Sequence, residues 1–282
     1  MEVRINDHPA DITIDNEKTV GEVMAGLEQW LSGSGHRLSG LSIDGKPVDL
    51  SSLEDVFSKE ITSVKNINII TSSLAQLTAE SLINLLEDIK EYERLGFEEK
   101  KEFINTWKEK PQSLFISDQM PDLNNFFFNL FSGGNIEANT VFSITEERLR
   151  EVKNPLEEFV NLQSLVEQTC RLLEDLPLDV QTGKDAKAAQ TIQIFSGIAE
   201  KILRILKQLD IQGFLNLEAD IEKQITQMIS AFGNLVKELL DAYERYDTVL
   251  LGDLAEYEAA VRLKELFDLI MNNSRRTEAT GN

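Results

Sequence analysis

The chain has 282 residues, 41% of them hydrophobic, enough apolar mass for one large or two ordinary domains. Forty-nine acidic against 28 basic side chains give a formal charge of −21; that balance disfavours duplex nucleic acid and anionic membrane surfaces, which are held by Lys and Arg, and makes a protein with a basic or apolar surface the expected partner. The single cysteine, Cys170, excludes an intrachain disulfide and a cysteine-based zinc site, and with no signal-like pattern at Met1-Glu2-Val3-Arg4 and no apolar run near the ~20 residues of a spanning helix, a cytoplasmic protein without membrane insertion is expected.

Apolar and polar residues alternate at Met1, Val3 and Ile5 and again over Ala10 to Ile14, which predicts two strands joined through the turn residues Asn6-Asp7-His8-Pro9. Thr19 and Glu22 have capping-box spacing, and Val20, Val23, Met24, Leu27, Trp30 and Leu31 form one helical face that stops at Ser32-Gly33-Ser34-Gly35. Leu41-Ser42-Ile43 reads as a short strand, Asp44-Gly45-Lys46-Pro47 turns it, Val48 to Leu50 pairs back, and Leu53 to Phe57 makes a turn of helix. A last strand holds Val64, Ile67, Ile69 and Ile70. The period changes from strand-like to helix-like at Thr71 to Ser73.

The order strand, strand, helix, strand, short strand, helical turn, strand resembles ubiquitin and the wider β-grasp family. The residues that carry the resemblance are the hairpin, the helix after Thr19, and Leu41-x-Ile43-Asp44-Gly45-Lys46 leading into Leu53-x-Asp55-Val56-Phe57. Conjugation and sulfur transfer, which such proteins perform through a free Gly-Gly carboxylate, do not carry over, because here the last strand runs through Thr71-Ser72-Ser73 into a helix. What the resemblance implies is a module that presents a sheet face to a partner; the other reading is that it only caps the helical body.

Leu74 to Tyr92 reads as an amphipathic helix stopped by Gly96, and Phe97 to Lys110 as a second, with Phe103, Ile104 and Trp107 on one side and Pro111 at its end. Residues 112–142 hold Phe115, Phe126, Phe127, Phe128, Phe131 and Phe142 between Pro121 and Gly133-Gly134, with room for a turn or two of helix over Leu123 to Phe131. Phe115, Phe126, Phe127, Phe128 and Phe131 are the candidate partner-contact residues, against the default that aromatic side chains are buried. From Ser143 the pattern strengthens. Ser143 with Glu146 is a second capping-box candidate, Asn154-Pro155 starts or kinks a helix, and the run from Leu156 to Leu173 closes at Leu176-Pro177. Ala188, Ile192, Phe195, Ala199, Ile202 and Leu206, then Ile221 to Ala242 and Leu254 to Ile270, repeat 3,4 spacing, the requirement for an antiparallel helical bundle.

The expected fold is therefore α+β: a β-grasp domain at 1–72, a helical connector with an aromatic segment at 73–142, an antiparallel helical bundle at 143–272 and a flexible tail at 273–282 with Arg275-Arg276. No catalytic, cofactor-binding or metal-ligating set is expected. His8 and His36 fall in predicted turns, and Cys170 lies on an apolar helix face where a buried inert thiol is usual. The carboxylate-rich phrase Asp247 to Glu258 lacks the Glu-x-x-His pairs of a bundle di-metal centre and is explained by capping at Asp253 and solvated faces. No P-loop, Gly-x-Ser-x-Gly elbow or His-Glu-x-x-His helix occurs. The function expected is non-enzymatic, an interaction or adaptor protein; the alternatives are an acidic chaperone-like cofactor of a bacterial secretion or flagellar client, and, less favoured, a carboxylate-based metalloenzyme.

Overall fold

A computed structural model describes residues 1–10, 12, 14, 16–33, 36–49, 53–215 and 218–274, with backbone alone at 32 and 33. The tail from Arg275, the second half of the Ser32 to Gly35 breaker and Leu50 lie outside the described residues.

Strand β1 (Glu2–Ile5) turns back through Asn6 and Asp7, both at positive φ (50° and 66°), into β2 (His8–Pro9). Two consecutive left-handed residues are what a two-residue hairpin turn requires, and Asn and Asp tolerate them. The turn is thus tighter than the four residues expected, and His8 lies in a strand. Asn6 and Asp7 also fasten the hairpin to the last strand: Asn6 Nδ2 donates to Thr71 Oγ1 at 3.0 Å, and Asn68 Nδ2 to Asp7 Oδ1 at 2.7 Å.

Helix α1 (Val20–Gly33) opens with the expected box, the Glu22 amide donating to Thr19 Oγ1 at 3.3 Å and the Thr19 amide to Glu22 Oε2 at 3.4 Å. Strand β3 (His36–Ile43) is eight residues long, more than twice the expected length, and places His36 in a strand rather than a turn. Asp44 (φ 49°) and Gly45 (φ 78°) form a second two-residue turn into β4 (Lys46–Pro47), after which the Val48 amide donates to the Leu41 carbonyl at 2.9 Å. A short helix α2 (Leu53–Phe57) leads to β5 (Asn66–Ser73). The sheet order is β2-β1-β5-β3-β4, with β1 and β5 parallel and the other pairs antiparallel. Along the chain the elements run strand, strand, helix, strand, short strand, short helix, strand, as read from the sequence, and the fold is α+β. Val20, Val23, Met24 and Leu27 of α1 bury against Val3, Leu41, Ile43, Ile67 and Ile69 of the sheet.

Strand β5 passes without a loop into α3 (Leu74–Arg94). The Ser73 amide donates to Gln76 Oε1 at 2.9 Å and the Gln76 amide to Ser73 Oγ at 3.1 Å, a reciprocal cap at the point where the period changes. Next come α4 (Phe97–Trp107), α5 (Pro111–Gln119) and α6 (Pro121–Phe131), the last two opened by their prolines. Residues 112–131, expected as a broken stretch, are mostly helix because proline is compatible with the first helical turn, where its missing N–H costs nothing.

The chain forms two compact units, Met1–Asp88 with Glu102–Asn125, and Ile89–Lys101 with Phe126–Asn282. In the first, Asp88 is buried and accepts from Trp107 Nε1 at 3.1 Å, Lys110 Nζ at 2.7 Å and Gln112 Nε2 at 2.8 Å. The second contains α7 (Ala138–Lys153), α8 (Pro155–Asn161), α9 (Gln163–Gln181), α10 (Asp185–Ile211), α11 (Ala219–Glu244), α12 (Thr248–Asp253), a π-helical turn (Leu254–Ala259) and α13 (Ala260–Asn273). The apolar faces of the elements from α8 to α13 share one core, in which Phe159 stacks on Phe267 at 4.7 Å and Phe195 meets Phe232 at 5.6 Å.

The run from Leu156 to Leu173, expected as one helix, divides at Leu162 into α8 and α9, and three expectations about caps and ends also fail in this unit. Ser143 lies inside α7, where its hydroxyl donates back to the Asn139 carbonyl at 2.9 Å, so it caps nothing. Helix α9 continues through Pro177 to Gln181 and ends at Gly183 (φ 74°), whose neighbour Lys184 donates its amide to the Asp179 carbonyl at 2.8 Å. The cap before α12 is Asp247, accepting from the Leu250 amide at 3.1 Å, rather than Asp253.

Candidate functional site

A hollow lies within the N-terminal module, where the β1–β2 hairpin, Ile12 and Ile14 face α1. It measures about 690 Å³. Ile5, Pro9, Ala10, Ile12 and Ile14 form one wall; Val23, Gly26, Leu27 and Trp30 form the other; His8 and Glu17 are its polar members. Strand β2 has only two residues, so the sheet is short at the edge that this part of the helix overlies. Trp30, expected on the buried face, is consequently 61% exposed while Leu27 and Leu31 beside it are buried. Gly26 is the low point of the helix wall: a Cβ placed there meets no atom within 4 Å. A second hollow of about 500 Å³, lined by Met1, Ile61 and Thr62, shares Ile12 and Ile14 with the first.

The face of the sheet away from α1 is different in kind. Alternation along β5 buries Ile67 and Ile69 and leaves Asn66 and Asn68 half-buried on the other side, where Ile70 is 51% exposed. The resemblance pointed to a sheet face as the docking surface; the larger apolar opening is at the hairpin edge.

The four candidate aromatics of α6 do not form one surface. Phe127 and Phe131 are fully buried, their rings 5.7 Å apart, and Phe131 packs against Tyr92 at 4.9 Å. Phe115 and Phe126 are half-buried, and Phe128 is exposed. Helical geometry is the reason: with 3.6 residues per turn, Phe127 and Phe131 share a face and Phe128 is turned about 100° away from Phe127.

In the helical unit a cleft of about 320 Å³ holds Cys170 among charged neighbours that include Glu167, Arg171, Glu174 and Lys264. The thiol donates to the Ala260 carbonyl at 3.4 Å, and burial pushes its pKa up, with Glu174 adding to the rise. A thiol so held is a structural donor and a poor nucleophile. Glu151, on α7, is buried and takes a two-pronged bond from Arg204 on α10, at 3.0 and 2.9 Å. Burial pushes the Glu151 carboxyl upward against the lowering charge of Arg148, and the paired guanidinium bonds oppose that rise. Lys201 bonds Glu147 at 2.8 Å and approaches Glu158 at 3.7 Å, so the cluster clamps α7 and α8 to α10. Its acids are matched by bases. Among the described residues no group of three or more His, Cys, Asp and Glu is placed to hold a metal ion, and no helix is long and apolar enough to cross a membrane.

Two family models match the chain in separate stretches. Residues 1–73 match the TP0873 N-terminal domain, and residues 156–268 match a domain of unknown function, DUF8042. The first ends on the last residue of β5 and contains every residue of the groove; the second runs from α8 into α13. The aromatic segment falls in neither. An uncharacterised protein of Treponema pallidum (strain Nichols) is 20% identical over 275 residues, covering 96% of this chain and 97% of its own, so the similarity runs through both stretches in one relative. No solved structure matches.

Sequence reasoning missed the groove because periodicity gives the apolar face of α1 and not the length of the sheet that covers it. The available signal was Gly26 between Met24 and Trp30, a residue without a side chain in the middle of a predicted helix.

Proposed function

We propose that this protein is a non-enzymatic adaptor that holds a protein partner through the hairpin–helix groove of its N-terminal module, in a cytoplasmic setting that its lone cysteine suits. The observation that carries the reading is Trp30, 61% exposed on the wall of an apolar groove of about 690 Å³. A large aromatic side chain at the edge of a preformed apolar hollow is the typical anchor of a protein interface. The cleft of the helical unit, walled largely by charged side chains, gives less to an apolar client, which makes the chaperone-like reading the weaker one.

The test is affinity capture on the immobilised full chain, compared with Gly26→Leu. Leucine at 26 projects into the groove and suits a helix better than glycine does, so the variant fills the site without weakening its wall. A partner retained by the parent and lost by the variant is the expected result. Identical retention by both would overturn the reading.

A further inference from the structure

We infer that the occupant of the groove is a basic amphipathic helix of the partner, its apolar face against Ile5, Ile12, Leu27 and Trp30 and its Lys or Arg side chains at the rim. The inference rests on the docking reading above and adds the chemistry of what docks.

Backbone geometry argues against an added strand. In the β1–β2 pair, Ile5 lies opposite His8 and Arg4 opposite Pro9, and the Ala10 amide donates back to the Val3 carbonyl at 2.9 Å. His8 and Ala10 therefore turn their amides toward β1, and Pro9 is the residue whose backbone turns outward. Proline has no N–H, so this edge offers an incoming strand no donor at the position where it needs one. Recognition falls to side chains in the groove, the mode by which an amphipathic helix is held.

Charge sets the rest. The first 31 residues, which supply every residue of the groove, carry seven acidic side chains against Arg4 and Lys18. Arg4 is paired with Glu2 at 3.0 Å, and Glu17 lines the groove itself. An acidic occupant would meet like charge there, whereas Lys or Arg is attracted to the rim and to the exposed face of the Trp30 indole.

The experiment uses the full-length protein and two labelled synthetic peptides of about 18 residues with the same leucine stripe at helical spacing, one with lysine and one with glutamate on the polar face. Binding is read by anisotropy and by protection of Trp30 from acrylamide; Trp107 is buried, so the accessible quenching reports on Trp30. The lysine peptide is expected to protect Trp30, to bind at least about tenfold more weakly to Gly26→Leu and to Trp30→Ala, and to lose affinity between about 0.01 and 0.15 M salt. If the glutamate peptide binds as tightly as the lysine peptide, with both weakened by Gly26→Leu, the docking site stands and the basic occupant is wrong. If lysine-peptide binding is the same in Gly26→Leu as in the parent, the groove is not the site and both readings fall. No binding by either peptide, or concentration-dependent dimerisation of the parent that Gly26→Leu abolishes, also overturns the basic helix as occupant.

Discussion

Asp88 shows how much one polar residue can organise. Its carboxylate satisfies an indole N–H, an ammonium and an amide from α4, the residue before α5, and α5 itself, so three pieces of chain are placed by one side chain on α3. The Asp88 carboxylate is itself buried, and these three donors offset the cost of taking it out of water. Asp88→Ala should cost about 2–4 kcal/mol in unfolding free energy, and Asp88→Asn less, because it keeps an acceptor. Urea denaturation measures both; a loss below about 0.5 kcal/mol for the alanine variant would mean that the donors find other partners. Trp30 makes the opposite point. Its periodicity is that of a core residue, and it becomes a surface residue because the strand opposite is short.

At the scale of elements, the joint between α9 and α10 has an unusual charge arrangement. Asp179 sits near the C-terminus of α9, and Lys184 and Lys187 at the N-terminus of α10, each at the end of a helix dipole that disfavours it. Their pairing removes both conflicts: Lys187 Nζ lies 2.7 Å from Asp179 Oδ2 and Lys184 Nζ 3.2 Å from Oδ1, with the carboxylate buried. The adjoining Lys187 ammonium, helped by Lys184, holds the Asp179 carboxyl below the usual aspartate range. A carboxylate lowered in the folded state contributes stability above its unfolded pKa of about 3.9 and loses it as pH falls through the lower folded value. Asp179→Asn should therefore have a lower urea midpoint than the parent at pH 6, with the gap closing toward pH 3. A gap that stays constant across that range would mean the ion pair is not its source.

These elements were legible in the sequence to unequal degrees. The 3,4 spacing of Ala188 to Leu206 and Ile221 to Ala242 recovered α10 and α11 because long helices repeat their signal many times. Both hairpin turns were drawn too wide because Asn6-Asp7 and Asp44-Gly45 act as dipeptides, and turn-forming neighbours such as His8-Pro9 and Lys46-Pro47 hide which two residues bend. Pro177 looked like a stop, yet α9 runs through it, and its ring packs on the buried Gly252, whose added Cβ would come within 3.1 Å of the Pro177 Cβ. Tertiary contact there overrides a local rule. The groove was least legible, since it depends on the relation between the length of β2 and the position of Gly26, and neither is encoded by periodicity.

For the whole molecule the dominant quantity is charge. With a formal charge of −21 and its principal buried acids, Asp88, Glu151 and Asp179, paired with bases, most of the excess is on the surface, where it repels itself. Added salt screens that repulsion, as the Debye length falls from about 30 Å at 0.01 M to about 10 Å at 0.1 M. The thermal midpoint should accordingly rise over that range of sodium chloride in a calorimetric scan. A fall would show that attractive ion pairs such as those around Glu151 outweigh the net repulsion.

The junction at Ser73 has a consequence for motion. Strand β5 is hydrogen-bonded on one side to β1 and on the other to β3, and its final residue already holds the first turn of α3 through the Gln76 bonds. No slack separates strand from helix. Fraying, which ordinarily begins at the end of an element, has no free end to begin from here, so loosening the central strand and unwinding the first turn of α3 become one cooperative opening rather than two independent ones.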